Sequence, residues 1–392
     1  MFLQIHFLTS YHATLLNRDD VGLAKRINFG GSPRLRVSSQ CQKRHWREWM
    51  LEQTTLPRGF RTRHFFSRVV KRRLVAEGMD EQIAHDLTLQ LSKKLLSTSG
   101  DKAALDEETL AMKQPVLFGK PEADYFVQLI QEAADQGNME AASSYIDEQM
   151  KQGKRNFKVL LEQAGFGDPA AGFEGALFGR FVTSDILARV DAPVHVAHAF
   201  TTHTLDTEVD FFTVVDDLAG DETGAAHAND MELGGGIFYG YVVVDIPLLV
   251  SNLTGCERDE WTKQEFDDAR SLLNLLIHAT AQVTPGAKLG ATAPYARAES
   301  IVLEVGNKQP RSLANAFLRP INIRQKEAHP MGLSIDAMAQ YMSALDEMYG
   351  DDGERRFVSL APIHHWPRES EVAIPLQAAI DQSLDAIFGE ES

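Results

Sequence analysis

The sequence predicts an α+β fold in which a ferredoxin-like βαββαβ core carries two insertions. The first observation is an alternating apolar segment at 2–8, followed by a helical pattern that begins near residue 39. The second is a change in the sequence pattern after residue 189, where short β-like segments alternate with helical ones. The third is a pair of interruptions, a mostly helical region at 60–175 and a Gly/Asp/Asn-rich excursion at 216–236.

The N-terminal segment has the residue period of a strand. The apolar residues of 2–8 alternate, so they fall on one face of that strand. Residues 10–38 are expected to form a long irregular basic loop with Gly30 and Gly31 in it. Loops of this length are usually functional or disordered, which makes this one a candidate binding segment.

A helix is predicted to begin at Ser39. Ser39 and Gln42 have the spacing of a capping box, in which each side chain satisfies a free backbone N–H. Trp46, Trp49 and Met50 recur at i, i+3 and i+4, the spacing of an apolar helix face that turns toward a core.

The remaining elements follow from the same periodicities. Helical patterns cover 77–110, 123–164, 261–283, 328–350 and 375–388. Strand-like patterns cover 193–200, 207–215, 236–248 and 300–305, and the second and third of these flank a hairpin-like excursion.

Composition bounds the class of protein. Of the 392 residues, 44% are hydrophobic and 24% charged, values typical of a folded domain rather than a disordered chain. Two cysteines exclude a disulfide framework and a four-cysteine zinc site. The N-terminus has no signal-peptide pattern, and the apolar run at 236–250 is too short to span a bilayer. We expect a soluble cytoplasmic protein with no cofactor and no membrane partner.

Positive charge is concentrated at the N-terminus. Residues 1–75 contain 15 Lys and Arg but 4 Asp and Glu, a net charge of +11, whereas the rest of the chain has a net charge of −27. A chain this polarised is expected to have one basic working surface and a large acidic remainder. The overall charge of −16 therefore does not exclude nucleic acid as a partner.

The basic segment has a pattern that suits a phosphate backbone. Arg34 and Arg36 flank one residue, so their guanidinium groups are expected on the same side of an extended segment. Ser38 and Gln40 stand at the predicted helix start, where free N–H groups and the helix dipole favour an anion. Lys43 and Arg47 are four residues apart and continue a basic face along the helix. A polyanion that lies along this face would meet several cations in succession.

Longer motifs carry a resemblance to a known family. Leu-Asn-Arg-Asp-Asp at 16–20, Phe-Gly-Gly-x-x-Arg-x-Arg-Val-Ser-Ser-Gln at 29–40 and Lys-Arg at 43–44 resemble the backbone subunit of the type I-E CRISPR Cascade complex, the CasC family. Further collinear matches lie at 179–184, 197–203, 211–218, 236–239, 285–288 and 314–317. The matches span roughly residues 5 to 317, which is most of the chain.

The resemblance implies a hand-shaped subunit. It would have an RRM-like palm, helical fingers and a β-hairpin thumb, and would not be an enzyme. The implied division is palm at 1–59, helical fingers at 60–178, palm at 179–199, thumb hairpin at 200–236, and palm with C-terminal helices at 237–392. The implied partners are CRISPR guide RNA, other copies of the chain stacked head to tail, other Cascade subunits, and target DNA through the guide.

The resemblance also implies site residues. The RNA-contact candidates of the palm are Arg18, Lys25, Arg34, Arg36, Ser38, Gln40, Lys43 and Arg47. Phe181 stands where the family often has an apolar wedge between bases, Phe211, Phe212 and Thr213 are thumb candidates, and Lys288 lies in a further matched motif. A more weakly aligned cluster corresponds to finger lysines that face target DNA: Lys151, Lys154, Arg155 and Lys158.

Two other groups of residues could suggest a different chemistry. His195, His198 and His203 could suggest a metal, but core or surface histidines are the favoured interpretation because alternation turns the first two to opposite faces. The carboxylates at 206, 210, 216, 217 and 221 keep open a metal-dependent endoribonuclease of the same fold. An independent DNA-binding regulator is a third alternative, disfavoured because no helix-turn-helix pattern is present.

Overall fold

The computed structural model describes residues 1–96, 105–163, 171–180, 190–214, 227–286, 292–324, 329–350, 353–361 and 372–389, with side chains for all of these except 152–163, 212–214 and 227–229. The chain divides into two compact units. The sheet unit comprises Met1–Gln53, His195–Asp245 and Arg270–Ser392, and the helical unit comprises Thr54–Val194 and Ile246–Ala269. No helix among the described residues is long and apolar enough to cross a membrane.

The described elements alternate along the chain. The strands are β1 Phe2–Thr14, β2 Arg26–Phe29, β3 Ser32–Val37, β4 Gly59–Thr62, β5 Val116–Gly119, β6 Val194–Val196, β7 Ala199–Thr201, β8 Thr207–Val214, β9 His227–Asp245, β10 Ala298–Gly306 and β11 Glu354–Ser359. The α-helices are α1 Ser39–Met50, α2 Arg72–Ala76, α3 Glu81–Leu95, α4 Lys120–Ala134, α5 Met139–Gln163, α6 Gly172–Phe178, α7 Ile246–Thr254, α8 Asp267–Gln282, α9 Pro330–Tyr349 and α10 Leu376–Phe388. A π-helical turn, Phe66–Lys71, precedes α2, and 3₁₀ turns cover Arg258–Lys263 and Ala314–Phe317.

The main sheet has the strand order of a ferredoxin-like fold. Its order is β11-β10-β1-β9-β7-β3-β2, and the neighbouring strands are antiparallel. Within it, β10-β1-β9-β7 is the 4-1-3-2 order of a βαββαβ core. Helix α1 lies in the connection from β1 to β7, and α8 lies in the connection from β9 to β10. The predicted α+β class and core are therefore confirmed.

Both faces of the central strand β1 are buried. Phe7 points to the α1 face, where its ring meets Trp46 edge-on at 6.5 Å. Leu8 points to the opposite face and packs in one core cluster with Tyr239, Phe317 and residues of α9. The strand runs through Thr14 and is longer than the predicted segment, because its two buried faces continue past residue 8.

A buried ionic network links β1, β10, β11 and α9. The Glu304 carboxylate is hydrogen-bonded to His6 at 3.1 Å and to the Arg355 Nε at 2.8 Å. Arg355 in turn donates to Asp346 at 2.6 Å. Burial alone would raise the pKa of Glu304, but the His6 hydrogen bond and the charges of Arg355 and Arg311 outweigh burial and lower it to about 2.

About half of the segment predicted to be an irregular loop, 10–38, lies in strands. After β1 ends, β2 and β3 form a hairpin with Phe29 paired to Ser32. The two turn residues, Gly30 and Gly31, have φ of +59° and +76°, as a two-residue type I′ turn requires. A side chain at Gly30 would also collide with the Leu318 carbonyl. The expectation was wrong because it treated the glycines as loop residues rather than as a hairpin turn.

Helix α1 is capped one residue earlier than predicted. Ser38 is the N-cap, and its Oγ accepts from the Cys41 N–H at 3.3 Å. The Ser38 N–H donates to Asn17 Oδ1 at 2.9 Å, which holds Ser38 extended. Gln42 is not part of a capping box, because its Nε2 donates across the fold to the Ala197 carbonyl at 2.9 Å.

The second insertion is a β-hairpin. Strands β8 and β9 pair from Thr207 with Gly234 to Val214 with His227, and β9 then continues into the main sheet. The hairpin therefore projects from the palm as an extension of a core strand. Its connection, 215–226, lies outside the described residues.

The first insertion is helical, as predicted. Its core is aromatic, with Phe65 and Phe118 stacked at 4.0 Å and Phe126 edge-on to both. Glu122 and Arg180 form a buried ion pair in the same unit, with N–O distances of 2.7 Å. Of the helical stretch predicted at 77–110, the described helix is α3 alone, and the residues after it return to the core through Leu110 and Met112.

Candidate nucleic-acid interface

The loop between β1 and β2 is built on its own hydrogen bonds. Asp19 Oδ1 accepts from the N–H groups of Val21 at 3.1 Å and Leu23 at 2.9 Å. Asn17 closes the loop, since its carbonyl accepts from the Lys25 N–H at 2.8 Å. The Asp19 carboxylate and the Asn17 backbone carbonyl therefore fix where Lys25 leaves the loop, and the basic segment is preorganised rather than loose.

Lys25 and Arg36 are neighbours across the edge of the main sheet. The Arg36 N–H donates to the Lys25 carbonyl at 2.8 Å, and Arg36 pairs with Phe200 on its other side. Both side chains are half-buried. Neither has a carboxylate partner among the residues that the structure describes. Two adjacent cations without a neutralising acid favour an anionic ligand.

His198 joins this pair of cations. Its Nδ1 accepts from the Ser39 N–H, the first residue of α1, at 2.9 Å. Burial and the charges of Arg36 and Lys25 lower the pKa of His198. We call Lys25, Arg36 and His198 the cationic edge. The sequence pattern did not assign His198 to it, because the histidine is separated from Arg36 by 161 intervening residues.

Arg34 is not part of the cationic edge. Its side chain is 0% exposed, and its two terminal nitrogens donate to the carbonyls of Thr201 and Phe317 at 2.9 Å. Burial lowers the pKa of Arg34. Arg34 therefore ties β7 to the 3₁₀ turn that packs over the sheet, and its RNA contact stays a prediction.

Arg26 is neutralised by a carboxylate that sequence reasoning missed. Glu232 in β9 is buried, pairs with Arg26 and accepts from the Ala24 N–H at 2.9 Å. Glu232 therefore fastens the β1–β2 loop to the base of the β8–β9 hairpin. Nothing in the local sequence marks it, because the contact joins residues more than 200 positions apart.

The other predicted palm residues differ in exposure. Arg18 and Gln40 are exposed, whereas Lys43 and Arg47 on α1 are half-buried. Ser38 is buried and occupied as the helix cap. Arg18 and Gln40 are thus available at the surface, whereas the Ser38 side chain caps the N-terminus of α1.

The predicted residues outside the palm are partly described. Phe211 on β8 is 64% exposed, and Lys151 on α5 is exposed. The backbones of Phe212 and Thr213 lie in β8 and those of Lys154, Arg155 and Lys158 in α5, but their side chains are outside the described set. Phe181 and Lys288 lie outside the described residues altogether.

A cleft of about 530 Å³ lies at the base of the β8–β9 hairpin and is acidic. Asp206, Glu208 and Asp210 line it and are exposed. These carboxylates repel phosphate, so this cleft does not favour RNA. His203 also lines it, but its Nδ1 donates to the Thr204 carbonyl at 2.8 Å and its Nε2 accepts from the Ile237 N–H at 3.2 Å.

The described part of the chain has no group of three His, Cys, Asp or Glu side chains that could hold a metal ion. Asp206 and Asp210 belong to this part, whereas Asp216, Asp217 and Asp221 lie outside it. Burial lowers the pKa of His203, and both of its ring nitrogens are already used by backbone groups, which is the signature of a structural histidine.

The centre of the sheet cannot act as a base-stacking platform. An RRM stacks bases on exposed aromatic side chains of its central strands. Here Phe200, Tyr239 and Tyr241 are buried on the face that α9 and Phe317 cover. These described aromatic side chains are therefore not available for stacking, whereas the cationic edge lies at the margin of the sheet.

Comparisons with known proteins agree with this architecture. One solved structure, titled "CRISPR RNA-guided surveillance complex, pre-nicking", has a chain that matches with a TM-score of 0.78 and 24% identity over 99% of this chain and 100% of that one. A second, titled "CRISPR RNA-guided surveillance complex", matches with a TM-score of 0.70 and 21% identity over 98% of this chain and 100% of that one. At these identities the likeness shows the shared fold.

The sequence comparisons identify the family. No curated protein matches the chain. The family model described as "CT1975-like protein" matches residues 3–386, nearly the whole length. The chain therefore belongs to the family of CT1975-like proteins.

Proposed function

We propose that this protein is a non-catalytic backbone subunit of a CRISPR surveillance complex. It binds guide RNA along the phosphate backbone, stacks head to tail with other copies, and presents the guide for pairing with target DNA. Its motifs favour a complex of the type I-E class, with other Cascade subunits as companions and the cytoplasm as its location.

The observation that carries the proposal is the cationic edge. Lys25 and Arg36 lie side by side without a carboxylate partner in the described structure, in a chain whose net charge is −16. Other cations, such as Arg26 and Arg44, are paired with acids. The likeness to chains of two surveillance complexes supports guide RNA as the polyanion.

Backbone contacts suit a subunit that must accept any guide sequence. Charge and hydrogen bonds to phosphate carry no sequence information, and base pairing supplies specificity instead. The cationic edge lies beside a depression with about 10 Å³ of free volume, too small for a flipped base or a nucleotide. A strand that runs across this edge would therefore be held by its phosphates.

The remaining assignments extend the proposal to other segments. The β8–β9 hairpin is the thumb, with Phe211, Phe212 and Thr213 as its RNA contacts, and the helical insertion is the fingers. Phe181 and Lys288 are further RNA contacts, and the basic group on α5 faces target DNA.

Sequencing of co-purifying nucleic acid tests the proposal. The chain would be expressed with its neighbouring genes and a CRISPR array, purified at moderate salt, and its RNA sequenced. We expect a discrete spacer-containing RNA. A heterogeneous ladder of host RNA, or none from a well-folded assembly, would contradict the proposal.

A further inference from the structure

His198 is held in one tautomer by the backbone. Its Nδ1 accepts from the Ser39 N–H at 2.9 Å, which a ring protonated at Nδ1 could not do. The proton of the neutral ring therefore sits on Nε2. The ring is exposed, and Nε2 has no protein partner in the part of the chain that the structure describes.

The surroundings of His198 favour an anion at Nε2. Arg36 and Lys25 lie close enough to lower the pKa of the ring, and no acid is among the groups that act on it. The ring thus stays a neutral hydrogen-bond donor at neutral pH beside two full positive charges. A phosphate drawn to the cations would meet a third donor whose direction is fixed in advance, with little orientational entropy left to lose.

We propose that His198 is a phosphodiester-binding residue, donating from Nε2 to the RNA backbone that Lys25 and Arg36 attract. The inference rests on the proposed RNA binding and adds a contact that contributes affinity without charge. Counterion release depends on the number of cations that neutralise phosphates. The His198 contact should therefore strengthen binding equally at all salt concentrations, whereas Lys25 and Arg36 should act mainly at low salt.

Two substitutions separate this role from helix capping. In His198→Asn, the amide oxygen takes the place of Nδ1 and keeps the bond from the Ser39 N–H, but the outer donor is lost. In His198→Gln, the amide nitrogen takes the place of Nε2, but the cap is lost. Each variant therefore removes one function of the ring and retains the other.

The measurement is fluorescence anisotropy of the full-length chain with a labelled single-stranded RNA of mixed sequence, over a salt series, with thermal unfolding in parallel. We expect His198→Asn to bind about tenfold more weakly, the loss of one hydrogen bond to a charged group, with an unchanged salt slope and melting temperature. We expect His198→Gln to bind within about twofold of the wild type but to melt earlier, because it lacks the cap.

The opposite pattern would overturn the inference. If His198→Asn binds like the wild type while His198→Gln loses both affinity and stability, the histidine is a helix cap and nothing more. A fall in the salt slope of His198→Asn would mean that the ring binds as a cation, which also contradicts a neutral donor. Failure of the wild type to bind RNA would instead refute the proposed function itself, so the two failures are distinguishable.

Discussion

Removal of the charges of Lys25 and Arg36 should change the salt dependence of RNA binding by a definite amount. For single-stranded nucleic acid, each phosphate neutralised contributes about 0.7 to the slope of log Kd against log salt concentration. The double variant Lys25→Ala with Arg36→Ala should therefore lower that slope by about 1.4. This change of slope corresponds to a loss of affinity of about 15-fold at 0.15 M salt but only about threefold at 0.5 M salt.

The folded state should tolerate this change. Both side chains are at least partly exposed, and neither contributes a described ion pair that the fold would lose. Substitutions at such positions usually shift the free energy of unfolding by no more than about 0.5 kcal/mol. Thermal unfolding of the variant should therefore match that of the wild type, and the change in affinity can be assigned to the interface.

The assay is the same anisotropy titration, repeated from about 0.1 to 0.5 M salt, a range in which electrostatic binding to nucleic acid changes strongly. The control removes an equal charge at Lys120 and Lys263, which are exposed and paired with Asp124 and Glu260. Its slope should equal that of the wild type. Parallel lines for the cationic-edge variant and the wild type, or an equal fall in the slope of the control, would refute the argument that this edge is the RNA track.

Three other side chains give independent tests. Arg34→Lys should cost about 1–3 kcal/mol in urea unfolding, because lysine cannot satisfy both buried carbonyls, yet leave the salt slope unchanged, since Arg34 is not at the surface; a lower slope would return Arg34 to the interface. The pKa of Glu304, about 2 in the folded state, lies below the value near 4.3 of an unfolded glutamate, so its contribution is present above that value and is lost as pH falls toward 2. The unfolding free energies of the wild type and Glu304→Gln should therefore differ by on the order of 3 kcal/mol at pH 6 and converge as pH falls, and a constant difference would contradict the network. Asp217→Ala should leave the length of co-purified RNA unchanged with and without Mg²⁺, whereas loss of a Mg²⁺-dependent cut would favour the endoribonuclease alternative.

The fold was predictable wherever the spacing of apolar residues within one element shows which of its faces is buried. The apolar alternation of β1 and the 3.6-residue pattern of α1 each depend on a single element, and both elements are present. The error in the 10–38 segment came from the turn: two adjacent glycines are as characteristic of a type I′ hairpin as of a loop, and the strands that flank them are too short to show a clear period.

The site was less predictable, because its chemistry depends on contacts between distant segments. Arg34 and Arg36 look equivalent in the sequence. In the structure Arg34 is buried and donates to the Phe317 carbonyl, whereas Arg36 stays at the edge of the sheet. Likewise, whether Lys25 or Arg26 is free depends on Glu232. No local pattern of charge can tell a neutralised cation from an available one when the acid comes from another strand.

The covered face of the sheet and the cationic edge are structurally linked. Helix α9 and the 3₁₀ turn bury the aromatic side chains on which an RRM would stack bases, and the same turn holds Arg34 beneath the surface. At the margin of the sheet, Lys25, Arg36 and His198 form a row of donors for a polyanion, two charged and one neutral. Under the proposed function, such a row would bind phosphates and leave base edges untouched, as is required for holding a guide whose sequence must stay open for pairing.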